Sequence, residues 1–130
     1  GLRVGNDDLM SQTGTLVVSG SQPTIMTHAK GRSPFFWLRA SGTLEFQLDD
    51  KGAATMDYKN AYARFSKGSV VRADGKNYKG PAKNFVLVQA SDIRNEGVKF
   101  ETLNFSEKFE AQIVVEPRRG VVLRIKDKKQ

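Results

Sequence analysis

The sequence predicts an all-β fold: a single-domain antiparallel barrel or two-sheet sandwich with short hairpins and at most one short helix. Three observations predict it. Apolar and polar residues alternate with a period of two along much of the 130-residue chain. Turn signals recur every ~8–12 residues, the spacing of sandwiches and barrels. No stretch holds apolar residues at helical spacing for three turns, so helices have little support.

The elements follow in order. In Thr43–Leu48, Leu44, Phe46 and Leu48 alternate with Glu45 and Gln47. Asp49-Asp50-Lys51-Gly52 is a turn leading to the Ala54–Tyr58 run. Asn60–Phe65 reads as a strand, although it could open a short helix that Gly68 would end. Asp74-Gly75, between Val70–Ala73 and Lys76–Tyr78, is a hairpin signal, because both residues tolerate positive φ. Phe85–Val88 is a continuous apolar run, suited to a strand buried on both faces. Asn95-Glu96-Gly97 precedes an alternating Val98–Thr102 strand, and Asn104–Phe109 could form a helical turn capped by Ser106. Pro117-Arg118-Arg119-Gly120 joins two final alternating strands, Phe109–Val115 and Val121–Ile125. Ser41-Gly42 and Ser66-Lys67-Gly68 complete the turns. No internal repeat is visible.

The length suits one domain, expected over 13–126. Residues 1–12 are expected to be loosely ordered, and 127–130 to form a basic tail. A chain of this size buries enough surface to fold without a metal or disulfide. The absence of cysteine removes disulfide scaffolds, thiolate metal sites and cysteine nucleophiles, and leaves the compartment open. No apolar run approaches the ~20 residues of a membrane helix, and no signal-peptide pattern is expected.

Catalytic groups are few. His28 is the sole histidine, beside Met26 and Ala29, and reads as structural. The pairs Asp7-Asp8 and Asp49-Asp50 are the carboxylate clusters, and Asp49-Asp50 sits where a turn favours Asp. Lys51 occupies a position where a calcium loop would need an oxygen ligand. Gly75-Lys76 lacks the remainder of a phosphate loop, and no Gly-x-Ser-x-Gly elbow is present. The sequence therefore points to no enzyme, no metal and no cofactor. A small hydrolase or inhibitor would lack a triad, a dyad or a metal set.

The charge distribution is more informative. The net charge is +7, and it is segregated. Residues 59–83 hold seven Lys/Arg against Asp74, and residues 117–130 hold six against Asp127. Between them, residues 92–116 hold six acidic residues and three basic ones. Such segregation bears on partners rather than on fold.

The basic middle stretch also carries tyrosines. Lysine and arginine neutralise phosphates, and aromatic faces stack on unpaired bases at roughly 1–3 kcal/mol each. The expected face comprises Arg64, Arg72, Lys76 and Lys79 as cations with Tyr62 and Tyr78 as stacking rings. Trp37 and Arg39, from the Gly31–Trp37 aromatic cluster and its flank, could join it, although core packing is the main reading for that cluster. The resulting expectation is a non-catalytic binding module for single-stranded nucleic acid or another polyanion. The alternative is a structural or assembly protein (a coat, tail or envelope component) that forms a homo-oligomer, with the opposite charges of 59–83 and 92–116 meeting across a symmetric interface.

Overall fold

The computed structural model describes residues 2–4, 14–21 and 36–128. The ten strands described there are β1 (Leu2–Val4), β2 (Gly14–Ser19), β3 (Phe36–Leu38), β4 (Gly42–Gln47), β5 (Met56–Phe65), β6 (Val70–Asp74), β7 (Asn84–Asn95), β8 (Lys99–Leu103), β9 (Phe109–Glu116) and β10 (Gly120–Asp127). No helix occurs among the described residues, so the fold is all-β. Asn60–Phe65 lies within β5. The 104–109 segment is a turn closed by Phe109 N–H donating to the Ser106 carbonyl. Strand β1 falls inside the segment expected to be loose, whereas residues 5–13, His28 and Asp7-Asp8 lie outside the described residues.

The strands form two sheets, ordered β1-β3-β5-β7-β10-β9 and β2-β4-β6-β8. From β1 to β8 the chain alternates between them, and each returning strand lies parallel to the previous strand of its own sheet. This corrects the expectation of antiparallel strands: six pairings are parallel, and only β7–β10 and β9–β10 are antiparallel. The physical reason lies in the corners. A turn signal marks a change of direction, and here the chain turns onto the other sheet instead of folding back on its own strand. Asp74-Gly75 is likewise not a hairpin. Gly75 N–H donates to the Leu103 carbonyl at 2.8 Å, and the chain runs on through 76–83 to β7 in the other sheet.

Three fully described corners carry the chain from the first sheet to the second, β3–β4, β5–β6 and β7–β8, and each has a residue at positive φ: Ser41 at 36°, Gly68 at 91° and Gly97 at 118°. They stack on one another. A Cβ at Gly68 would meet Ala40 at 3.8 Å, and one at Gly97 would meet Lys67 at 3.3 Å. Backbone bonding continues through them: Ser66 N–H donates to Leu38 C=O (2.9 Å), and Glu96 N–H to Phe65 C=O (2.8 Å).

Parallel in-register pairing stacks like positions on like. Leu44, Val71 and Phe100 face inward at one level of the second sheet, and Glu45, Arg72 and Glu101 face outward at the next. In the first sheet, Phe36 and Leu38 stand beside Ala63 and Phe65, all four fully buried. Inward residues of both sheets form one hydrophobic cluster. Within the apolar run, Leu87 and Val88 are fully buried, while Phe85 and Val86 are half-buried.

The C-terminal end is closed differently. The turn expected at Pro117–Gly120 does form a hairpin, and β10 adds to β7 with Val121 opposite Val88 and Leu123 opposite Phe85. Gly120 has φ 116°, and a Cβ there would stand 1.9 Å from the Val88 carbonyl oxygen, so only glycine lets the strands meet. Val121, Leu123 and Ile125 of β10, with Phe109 and Ile113 of β9, extend the buried cluster. Thr102 Oγ1 on β8 donates to the Ala111 carbonyl on β9, which ties the hairpin to the second sheet.

Candidate functional site

The outer face of the first sheet carries a cationic–aromatic ladder. Trp37, Arg64 and Arg94 occupy one register position on β3, β5 and β7, and Arg3 holds the same position on β1. The Arg64 guanidinium lies 4.4 Å from the Trp37 ring centroid, and that of Arg39 lies 4.9 Å away. Arg94 sits 4.2 Å over the Tyr62 ring. Exposed contacts of this kind stabilise by about 0.5–1 kcal/mol each. Trp37 Nε1 also donates to Ser66 Oγ at 3.0 Å. Four of the eight residues expected in the binding face, Trp37, Arg39, Tyr62 and Arg64, therefore meet. Arg94 was not among the eight. It lies in the acidic segment, and its signal is the alternation Asp92-Ile93-Arg94, which places it on the Asp92 face.

The other four lie elsewhere. Arg72 is on the outer face of the second sheet, where it bonds Glu45 at 3.2 Å and Glu101 at 3.3 Å. The Glu45 hydrogen bond is the main reason that its guanidinium pKa is raised. Lys76 and Lys79 belong to the loop after β6, where their N–H groups donate to Asp74 Oδ1 and to the Asp50 carbonyl. Tyr78 corrects the expectation of a stacking ring: it is 7% exposed. Its ring packs edge-on against Phe85, with centroids 5.7 Å apart, and lies 6.1 Å from the Phe109 ring. Its hydroxyl donates to the Pro81 carbonyl at 2.5 Å, and burial raises its pKa. An apolar corner between sheet and hairpin recruited the tyrosine that the sequence placed beside lysines.

Charges segregated along the chain are paired in space. Arg64 from the basic middle segment bonds Glu96 of the acidic one at 2.8 Å, and Arg72 bonds Glu101. Arg119 and Arg124 from the C-terminal basic block both bond Glu116, each at 3.1 Å. Parallel pairing brings Arg64 to Glu96 and Arg72 to Glu101, residues 32 and 29 apart in sequence, whereas the Glu116 pairs form within the antiparallel β9–β10 hairpin. The 59–83 and 92–116 segments thus meet within one chain.

A shallow depression of ≈ 330 Å³ is lined by Ser19, Gln47, Asp49, Asp50, Asn77 and Lys79. Asp49 accepts from the Ser21 hydroxyl (2.6 Å), from Ser21 N–H, and from the N–H groups of Lys51 and Gly52. These bonds, the Ser21 hydroxyl first, hold its pKa below the usual 3.8. They make Asp49 a turn residue with its acceptors used. No group of three or more His, Asp or Glu suited to a metal occurs among the described residues. No helix there is long and apolar enough to cross a membrane.

The two ends of the stack differ most. Among the described residues, β2 pairs with β4 and with no other strand, so it forms an edge of the second sheet. It reads Gly-Thr-Leu-Val-Val-Ser, with no charge, and Val17 is 44% exposed. At the far end, β8 begins with Lys99, whose side chain is 72% exposed, and β9 carries Glu110 and Glu116. Comparison with protein-family models, curated proteins and solved structures finds no match.

Proposed function

We propose that the protein is a structural module: a stiff two-sheet coil that associates with further copies of itself. On this reading the two sheets are the walls of one flattened coil, packed face to face like a sandwich but built from parallel turns. The observation that carries it is the run of parallel pairings from β1 to β8, which ends at an uncharged edge strand on one side and at a hairpin on the other. Each turn of such a stack buries its apolar face against its neighbours, so an end turn offers surface for one more. The shortage of acid–base groups, the intramolecular use of Arg64 and Arg72, and the shallow depressions favour this over catalysis. Sedimentation velocity over a hundredfold range of protein concentration tests it. Mass-action growth of a dimer or larger species is expected; one monomeric species throughout overturns it.

A second reading retains the polyanion. Trp37, Arg39, Tyr62, Arg64 and Arg94 gather on one face, and three of the five are arginines. A single-stranded nucleic acid or similar polyanion crossing the strands would meet one side chain per rung, at the ~4.8 Å strand spacing. Its cost is visible: Glu96 and Asp92 already bond Arg64 and Arg94, and guanidinium groups lie over both rings. An oligonucleotide titration at two salt concentrations, with Arg64→Ala/Arg94→Ala as comparison, decides it. Binding that weakens steeply with salt and is lost in the variant is expected. Equal binding by parent and variant removes this face.

A further inference from the structure

We infer that the self-association runs through β2: two copies join edge to edge, their β2 strands antiparallel about a two-fold axis, so that the second sheet becomes continuous across the dimer. This rests on the reading of the protein as an assembling module and names the surface that does it.

The choice of edge follows from comparing the four ends of the sheets that the described strands form. An open edge presents unpaired N–H and C=O groups, and proteins blunt such edges with short strands and charges. Strand β1 has three residues. Strand β8 starts with an exposed lysine, and β9 alternates Glu110, Gln112 and Val114 with its buried face. Strand β2 has none of these protections. It has six residues, no charge and no proline, and Leu, Val and Val at its centre. Such a segment has high β propensity and low repulsion towards its own kind.

The second copy is favoured because this strand complements itself. Antiparallel partners directly opposite each other share a face, so the register must keep Leu16 and Val18 inward. The register that sets Val17 against the second copy's Val17 does so. It places Leu16 opposite the second copy's Val18, and Thr15 opposite its Ser19. Val18 is 6% exposed, whereas Leu16 is only partly buried against the core, and the second strand would complete its cover. On the outer face, Val17 ends the row whose next members are Glu45, Arg72 and Glu101. Arg72 bonds both glutamates and Lys99 lies 3.6 Å from Glu101, whereas Val17, the member of the row at the edge, is uncharged and meets its own image without a charge clash.

The absence of cysteine allows a direct test. Val17→Cys and Leu103→Cys each introduce one thiol, at the β2 edge and at the β8 edge respectively. Under diamide, which accepts two electrons and two protons as two thiols join, the first variant is expected to give a covalent dimer and the second to remain monomeric on non-reducing gels. In sedimentation, Val17→Lys sets two ammonium groups face to face and is expected to raise the dimer dissociation constant about tenfold or more, while Leu103→Lys leaves it unchanged. Thr15→Lys, on the same face of β2, is expected to act in the same direction and serves if Val17→Lys fails to fold. If the parent associates but Val17→Lys and Thr15→Lys associate equally well, or Leu103→Cys crosslinks as readily as Val17→Cys, the edge assignment is overturned while the assembly reading stands. A parent that stays monomeric at every concentration overturns both.

Discussion

The two ends of this molecule solve the same problem in opposite ways. A stack of parallel turns has to stop somewhere, and each stop exposes apolar interior and unpaired backbone. At the C-terminal end, the chain reverses into β9–β10, pairs β10 against β7, and lays Phe109 and Ile113 over the core. At the other end, β2 stops with one edge unpaired among the described strands and with Val17 exposed. One end is finished by covalent continuity; at the other, the proposed dimer places a second copy. Within the second sheet charge follows the same division, with Lys99 and Glu101 on β8 and none on β2.

Breaking the finished end should have the largest effect. Tyr78 pins the 76–83 loop to β7 and β9 through Phe85 and Phe109, so Tyr78→Ala is expected to cost about 3–5 kcal/mol in chemical denaturation. Tyr78→Phe removes only the bond to the Pro81 carbonyl and should cost about 1 kcal/mol. Gly120→Ala forces a Cβ onto the Val88 carbonyl at a positive φ. It should cost about 2 kcal/mol or more, with the loss seen first as faster hydrogen exchange in β9 and β10.

Smaller effects sharpen the contrast. Arg72→Ala leaves Glu45 and Glu101 facing each other across the vacated strand, at a cost of about 1 kcal/mol that shrinks in high salt. Val17→Lys should change folding stability by less than about 0.5 kcal/mol, because it alters only an exposed side chain, while changing association. The pH dependence of the 49–52 turn should be smaller still. The Asp49 carboxyl is depressed in the folded state, so its contribution is complete above the ordinary value of 3.8 and is lost as pH falls through the folded-state value. Protection of the Gly52 and Ser21 amides, relative to the unstructured chain at the same pH, should fall over that acidic range and stay level above it.

Much of this fold was legible in the sequence, and the missing part has a definable cause. The alternation in Thr43–Leu48 correctly marks a strand with one buried face, whereas in Val121–Ile125 Val122 is buried on the opposite face as well. Alternation carries no information on whether the neighbouring strand runs parallel, since a half-buried strand alternates either way. Asp74-Gly75 reads as a hairpin because both residues tolerate positive φ, a tolerance that does not say which sheet the chain enters next. The repeat was hidden because the three described corners are spelled Ala40-Ser41-Gly42, Lys67-Gly68 and Glu96-Gly97, and because the segments returning to the first sheet share no pattern. The candidate face was half legible. Tyr62 and Arg64 were placed together by their spacing in one strand, but Arg94 depends on a register that only the parallel stacking reveals. The same stacking brings the basic and acidic segments together in ion pairs such as Arg64–Glu96.

The contrast between the ends is tested most directly by amide hydrogen exchange at low and high protein concentration. The β2 amides that face away from β4 should exchange freely in dilute solution and gain protection as concentration rises, while β8, β9 and β10 exchange at the same rates in both. Equal β2 exchange at the two concentrations, or a gain of protection at β8 and β9 instead, would contradict the account.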